Sequence, residues 1–251
     1  MESTSVRVIL HGARGRMGRA ISSVVPQYPG FQIAAEVDLG DDLATVVEQG
    51  DVVVDFSAPS ATGHLLDVCV SARKPLVLGT TGHEEEDRRR IREASERIPI
   101  VWASNFSTGV NLLFWLVERA AMALGPSYDV EIIEMHHRHK QDAPSGTART
   151  LAEILVRTRQ PNRELDLVCG RHGLVGPRRS EEIGIHAVRG GDVVGDHTVI
   201  FATFGERLEL THRASSRETF ARGALRAARW VLGRPAGLYD MQDVLGLRER
   251  A

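Results

Sequence analysis

The chain of 251 residues carries a net charge of −2, with 42% hydrophobic and 25% charged residues. This suits a core of one large or two modest globular domains, and excludes the overall basic field that holds nucleic acid. No apolar run approaches the ~20 residues that cross a bilayer, and two cysteines without CxxC spacing, Cys69 and Cys169, fit a reducing cytoplasm and argue against structural zinc.

Met1 to Ser5 is short and polar, and Val6 to Leu10 is a five-residue β-rich run that reads as a strand and not a signal peptide. A glycine loop follows, then a helix to about Val25, closed by Pro26. Phe31 to Val37 is predicted as the second strand. Asp51 to Phe56 is a continuous apolar run, as in a strand covered on both faces. A helix over Ser60 to Ser71, a strand over Pro75 to Leu78, a highly charged helix over Glu84 to Arg97 and a strand over Ile98 to Ala103 complete an alternation that predicts a parallel sheet.

Beyond this point the pattern changes. Val110 to Leu124 reads as an apolar helix, Tyr128 to Met135 as a strand and Thr147 to Arg157 as a helix. Leu165 to Cys169, Glu182 to Val188, His197 to Phe204 and Arg207 to Thr211 read as strands, with a hairpin turn at Gly205-Glu206. Strands without intervening helices predict a mixed or antiparallel sheet, and hence a second domain. A helix over Glu218 to Leu232 precedes a short piece, Leu238 to Leu247, expected to pack back on the first domain.

Gly12-Ala13-Arg14-Gly15-Arg16-Met17-Gly18 follows a strand and opens a helix. Missing side chains let backbone N–H groups approach a pyrophosphate at the helix N-terminus. Asp38, at the end of the second strand, stands where a carboxylate meets the adenosine ribose hydroxyls. That carboxylate repels a 2′-phosphate and is followed by Leu39 and not Arg, which favours NADH; Arg14 and Arg16 leave NADPH open. Gly79, Thr80 and Thr81 end the fourth strand, and Ala103, Ser104, Asn105 and Phe106 end the fifth, where nicotinamide-positioning groups are expected.

Three of the ten histidines, His136, His137 and His139, fall within four residues. His137-x-His139 with Glu134 or Asp142 has metal-ligand spacing, but the interleaved Arg138 and Lys140 disfavour a cation, so no metal is expected. Ser145-Gly146-Thr147 starts a helix whose free N–H groups suit a carboxylate. His136, His137 and Lys140 add positive charge and exchangeable protons, so the segment suits a small polycarboxylate that is protonated during reaction.

Glu134 to Ala148 resembles the signature E-x-H-H-x-x-K-x-D-x-P-S-G-T-A of dihydrodipicolinate reductases. Gly12 to Gly18, Gly79 to Gly82, Ala103 to Gly109, Ala214 to Phe220 and Gly237 to Met241 match the same family, so the resemblance runs from about residue 6 to 247. It implies NAD(P)H-dependent reduction of a cyclic dicarboxylate imine in the diaminopimelate route to lysine, with His136 as general acid, Lys140 as its charge-stabilising partner, and His137, Ser145, Gly146 and Thr147 on the substrate carboxylates. It implies a discontinuous Rossmann-like cofactor domain, 1–107 with 218–251, and an inserted α+β substrate and oligomerisation domain, 108–217, with a mixed sheet. A hinge near Ser107 to Gly109 and a homotetramer joined through the inserted sheet are implied as well. Some members carry Glu-Arg where this chain has Asp38-Leu39, so cofactor preference rests on its own residues. The alternative is another two-domain amino-acid-linked dehydrogenase, which lacks a reason to keep His-His-x-x-Lys beside Ser-Gly-Thr.

Overall fold

In a strand, successive side chains point to opposite faces. Val8 and Leu10 fall into one buried cluster while Ile9 falls into another, and Val52 and Val54 separate from Val53 in the same way. A sheet with two apolar faces must be covered on both. A computed structural model of the chain, describing residues 5–159 and 167–248, meets this demand.

The chain divides into two compact units, Met1–Thr108 with Arg217–Ala251, and Gly109–Ser216. In the first, β1 (Val6–His11), β2 (Phe31–Val37), β3 (Val52–Asp55), β4 (Leu76–Leu78) and β5 (Pro99–Trp102) are joined by a late strand, Gly237–Tyr239, which pairs parallel to β5. The order is β2-β1-β3-β4-β5 and then the late strand, all parallel. Helix α1 (Arg16–Val24) packs with the helix Glu218–Val231 in the cluster on one face. Helices α2 (Thr62–Ser71) and α3 (Glu85–Ser95) supply Leu65, Leu66, Cys69, Ile91 and Ala94 to the other. Strand order reverses at β1, so the carboxyl ends of β1 and β3 form the position where open α/β sheets bind their ligand. The expected parallel sheet, its element order and the return of the C-terminal piece are all present.

In the second unit, α4 (Thr108–Leu124) and α5 (Gly146–Arg159) cover one face of a five-stranded mixed sheet. Its strands are β6 (Asp129–His136), β7 (Leu167–Cys169), β8 (Ile183–Arg189), β9 (Gly195–Thr203) and β10 (Glu206–Ala214), in the order β10-β9-β6-β8-β7. Strand β6 is parallel to β8 and antiparallel to β9. Ile132, Ile185, Val199 and Phe201 meet the helices, whereas Ile133 and Val188, on the other face, are partly exposed. In chain order the remaining elements of the first unit are α6 (Glu218–Val231), β11 (Gly237–Tyr239) and α7 (Met241–Leu245).

One detail differs from expectation. Thr203 pairs with Glu206, so the hairpin turns at Phe204-Gly205, one residue earlier than the Gly205-Glu206 expected; Gly205 sits at φ +85, where a side chain is strained. The strand expected over Leu165 to Cys169 is seen as Leu167–Cys169, and residues 165 and 166 lie outside the described residues. Cys69 is buried as its apolar surroundings require, but Cys169 ends a short edge strand and is exposed. Among the described residues, no helix is long and apolar enough to cross a membrane.

Candidate active site

The glycine loop runs from β1 into α1 and crosses the end of β3. Gly12 has φ +81, and a Cβ there would lie 2.7 Å from the Phe56 carbonyl oxygen. A Cβ on Gly18 would lie 2.4 Å from the carbonyl oxygens of Gly12 and Ala13. Glycine is therefore demanded by close backbone approach at both positions. Gly15 caps α1 with no side-chain hydrogen bond, and the first turn holds no acid. An open helix N-terminus without a competing carboxylate fits a pyrophosphate.

Asp38 closes this loop from the side. Its Oδ2 accepts from the Arg14 amide at 2.7 Å and its Oδ1 from the Leu39 amide at 2.8 Å. These backbone donors hold its carboxyl below the usual carboxylate range, so it is ionised near neutral pH. Leu39 is 96% exposed, and the Arg14 guanidinium stands 3.9 Å from Asp41.

The expected nicotinamide-positioning loops do reach the carboxyl edge of the sheet, but two of their side chains turn inward. Thr80 is buried and donates to Asp55 Oδ2 at 2.6 Å. Phe106 is buried edge-on against Phe56, with centroids 5.4 Å apart. The Gly79 amide donates to the Asp55 carbonyl at 2.8 Å and the Ala103 amide to the Leu78 carbonyl at 3.3 Å. Thr81 and Ser104 are exposed, and Asn105 Oδ1 accepts from the Ser107 amide. Asp55 is fully buried and collects His11 Nδ1, Ser57 Oγ and Thr80 Oγ1, each at 2.6 Å. Sequence reasoning passed over Asp55, although an acid ending a continuous apolar strand is itself a signal.

In the second unit, period-two alternation along β6 sends Val130, Ile132, Glu134 and His136 to the covered face. Glu134 is fully buried. Its Oε2 lies 2.5 Å from His136 Nδ1 and accepts from Arg189 Nη1 at 2.8 Å. Its Oε1 accepts from Arg189 Nη2 at 2.8 Å and from the Ser145 amide at 3.1 Å. Burial alone pushes the Glu134 carboxyl up, but the His136 and Arg189 bonds outweigh it and bring it down to about 2.

Lys140 Nζ donates to Asp142 Oδ1 at 2.8 Å, and this bond holds the Asp142 carboxyl below its ordinary range. The His137 amide donates to the Val193 carbonyl at 2.7 Å, fixing the turn after β6. Ser145, an expected carboxylate contact, is buried: its hydroxyl accepts from the Ala148 amide at 3.2 Å and lies 3.0 Å from His197 Nε2. It starts α5, and leaves the exposed Gly146 and the half-buried Thr147 facing outward. Arg138 and His139 are exposed. Among the described residues, no group of three or more His, Cys, Asp or Glu is placed to hold a metal.

His197 and Arg189 stand in this cluster, and sequence reasoning missed both. His197 is 3% exposed, with its ring edge-on to that of His136 at 5.1 Å. Burial, reinforced by His136, pushes its pKa down to about 3, so the ring is neutral.

Comparison with known proteins agrees with this arrangement. Residues 6–106 match the family model described as dihydrodipicolinate reductase, N-terminus, and residues 109–245 the one described as dihydrodipicolinate reductase, C-terminus. A 4-hydroxy-tetrahydrodipicolinate reductase of Akkermansia muciniphila is 57% identical over 97% of this chain and 99% of its own. One from Thiobacillus denitrificans is 50% identical over 97% of this chain and 100% of its own. The structure of a dipicolinate-bound dihydrodipicolinate reductase from Paenisporosarcina sp. TG-14 superposes with a TM-score of 0.78 at 25% identity, covering 96% of this chain and 99% of that one.

An unfolded histidine takes its proton near pH 6.5, whereas buried His197 resists until about 3. Between those values the unfolded chain binds more protons, so folded-state stability falls as the pH drops from 6.5 toward 3. The slope from this residue reaches about 1.4 kcal/mol per pH unit. Glu134 adds stability that is present above its ordinary value of 4.5 and is lost as the pH falls toward 2. His197→Gln is expected to flatten the fall in urea midpoint between about pH 6 and 4. A fall as steep as in wild type would show that the ring is already protonated in the folded state.

Proposed function

This chain belongs to the dihydrodipicolinate reductase family, and from that premise we propose that it reduces 4-hydroxy-tetrahydrodipicolinate to tetrahydrodipicolinate, through dihydrodipicolinate and with loss of water, in the diaminopimelate route to lysine. The observation that carries the reading is His136, seated on the buried Glu134 carboxylate four residues before Lys140 and beside the start of α5. A reduced nicotinamide held by the Gly12 to Gly18 loop and Asp38 would supply a hydride to C4 of the conjugated imine. The resulting enamine is protonated at C3, and His136 supplies that proton. Lys140 exchanges Asp142 for the substrate and stabilises the charge that develops toward the ring nitrogen. His137, Ser145, Gly146 and Thr147 hold the substrate carboxylates, and the Ser145 hydroxyl also starts the helix.

The pyridine nucleotide occupies Gly12 to Gly18, with Asp38 on the adenosine ribose and the Gly79 to Thr81 and Ala103 to Phe106 segments on the nicotinamide side. The units are a cofactor domain, 1–107 with 218–251, and a substrate and oligomerisation domain, 108–217. The enzyme is cytoplasmic and uses no metal, in keeping with Arg138 and Lys140 interleaved among the histidines.

The test is NADH oxidation coupled to fresh condensation product of pyruvate and aspartate semialdehyde. Turnover is expected with that product, and its absence would turn the reading toward another two-domain dehydrogenase. His136→Gln is expected to lower kcat by a factor on the order of 10² to 10⁴; an unchanged kcat would remove the residue from its role.

NADH is the favoured cofactor, because the ionised Asp38 faces a 2′-phosphate with like charge and exposed Leu39 offers no compensating cation. A ratio of kcat/KM for NADH over NADPH of about ten is expected, as roughly 1.4 kcal/mol of repulsion would give. A ratio below one would place the phosphate on Arg14 or Arg16.

The protein assembles as a homotetramer through the uncovered face of the second sheet. Ile133 and Val188 lie partly exposed there, and apolar side chains so placed gain by burial against another copy. Light scattering is expected to give the mass of four chains, and a monomer mass at micromolar concentration would refute this.

A further inference from the structure

Glu134 is an acceptor with no acceptor capacity to spare. Two of its four donors belong to one rigid guanidinium, Arg189, which also donates to the carbonyls of Val188 and Asp142 at 2.7 Å. A third is the backbone amide of Ser145. None of these three turns away, because an arginine carries donors only and the amide is fixed by the start of α5. The fourth position, 2.5 Å from His136 Nδ1, therefore admits a protonated nitrogen and no other arrangement.

Gly195 keeps a side chain away from the far side of the buried imidazole. A Cβ on Gly195 would lie 3.0 Å from His136 Nε2 and 3.4 Å from its Cδ2, closer than carbon and nitrogen pack without displacement. His197, edge-on to the same ring, is neutral and adds no second positive charge beside it.

We infer that Glu134, fixed by Arg189, is the positioning residue that sets the tautomer of His136, so that His136 gives and takes its proton through Nε2 alone. The inference rests on the reading of His136 as proton donor. In the charged ring both nitrogens carry protons. Donation from Nε2 leaves the Nδ1–H tautomer, which the carboxylate already accepts, and no donor or acceptor has to rearrange.

Nitrogen-15 NMR of the histidine side chains in the free protein is the test. In wild type the neutral His136 ring is expected to carry its proton on Nδ1. In Glu134→Gln the amide oxygen takes the Oε1 position, because the Ser145 amide is a fixed donor there. The NH2 then faces Nδ1, and the proton moves to Nε2. This variant is expected to lose kcat by a factor on the order of 10² to 10⁴, as other general acids with an incorrect tautomer do, with KM little changed. A wild-type neutral ring protonated on Nε2 overturns the inference, as does an unchanged tautomer in folded Glu134→Gln. If that variant does not fold, the wild-type spectrum alone decides. Absence of reductase activity beside the expected tautomers would overturn the substrate assignment and leave the tautomer setting in place.

Discussion

A carboxylate removed from water must be met by donors, since an uncompensated buried charge costs several kcal/mol. Glu134 is fully buried near the end of β6, and this requirement organises everything around it. It draws Arg189 from β8, orders the first residue before α5 through the Ser145 amide, and holds the imidazole of His136. Three elements distant in sequence converge because one charge admits no partial solution. Of the three partners of Glu134, His136 is the only one whose side chain can both give and take a proton.

The first unit repeats the principle with a different acid. Asp55 ends β3 at full burial and gathers His11 from the end of β1, Thr80 from the end of β4, and its own neighbour Ser57. Together with the Gly12 contact on Phe56, this fixes the relative positions of three strand ends. The rim beneath the glycine loop is therefore rigid before any ligand arrives, and preorganised backbone donors bind anions without a further ordering cost.

Much of this was legible in the sequence for reasons that can be stated. Continuous apolar runs announced strands covered on both faces, and Val52 to Val54 divide between two clusters as such a run must. The glycine spacing with Asp38, and the histidine segment, could be singled out because both motifs are local. What sequence reasoning missed is non-local. His197 reaches Glu134 across the β6–β9 pairing, and Arg189 stands opposite His136 across the β6–β8 pairing. No periodicity in either strand points to a partner fifty or more residues away. Ser145 differs again: its residue type suits both ligand binding and helix capping, and its burial and its bond from the Ala148 amide are what the sequence could not show.

The separation of 55 residues between Glu134 and Arg189 has a consequence for the order in which the protein forms. During synthesis β6 emerges long before β8 and β9. Until Arg189 is present, the Glu134 carboxylate has no cation to accompany it into an apolar interior, and water remains its better partner. The helices α4 and α5 therefore cannot seal the covered face of β6 ahead of the later strands. A charge that gathers its partners in the finished molecule acts, on the ribosome, as a brake against premature collapse.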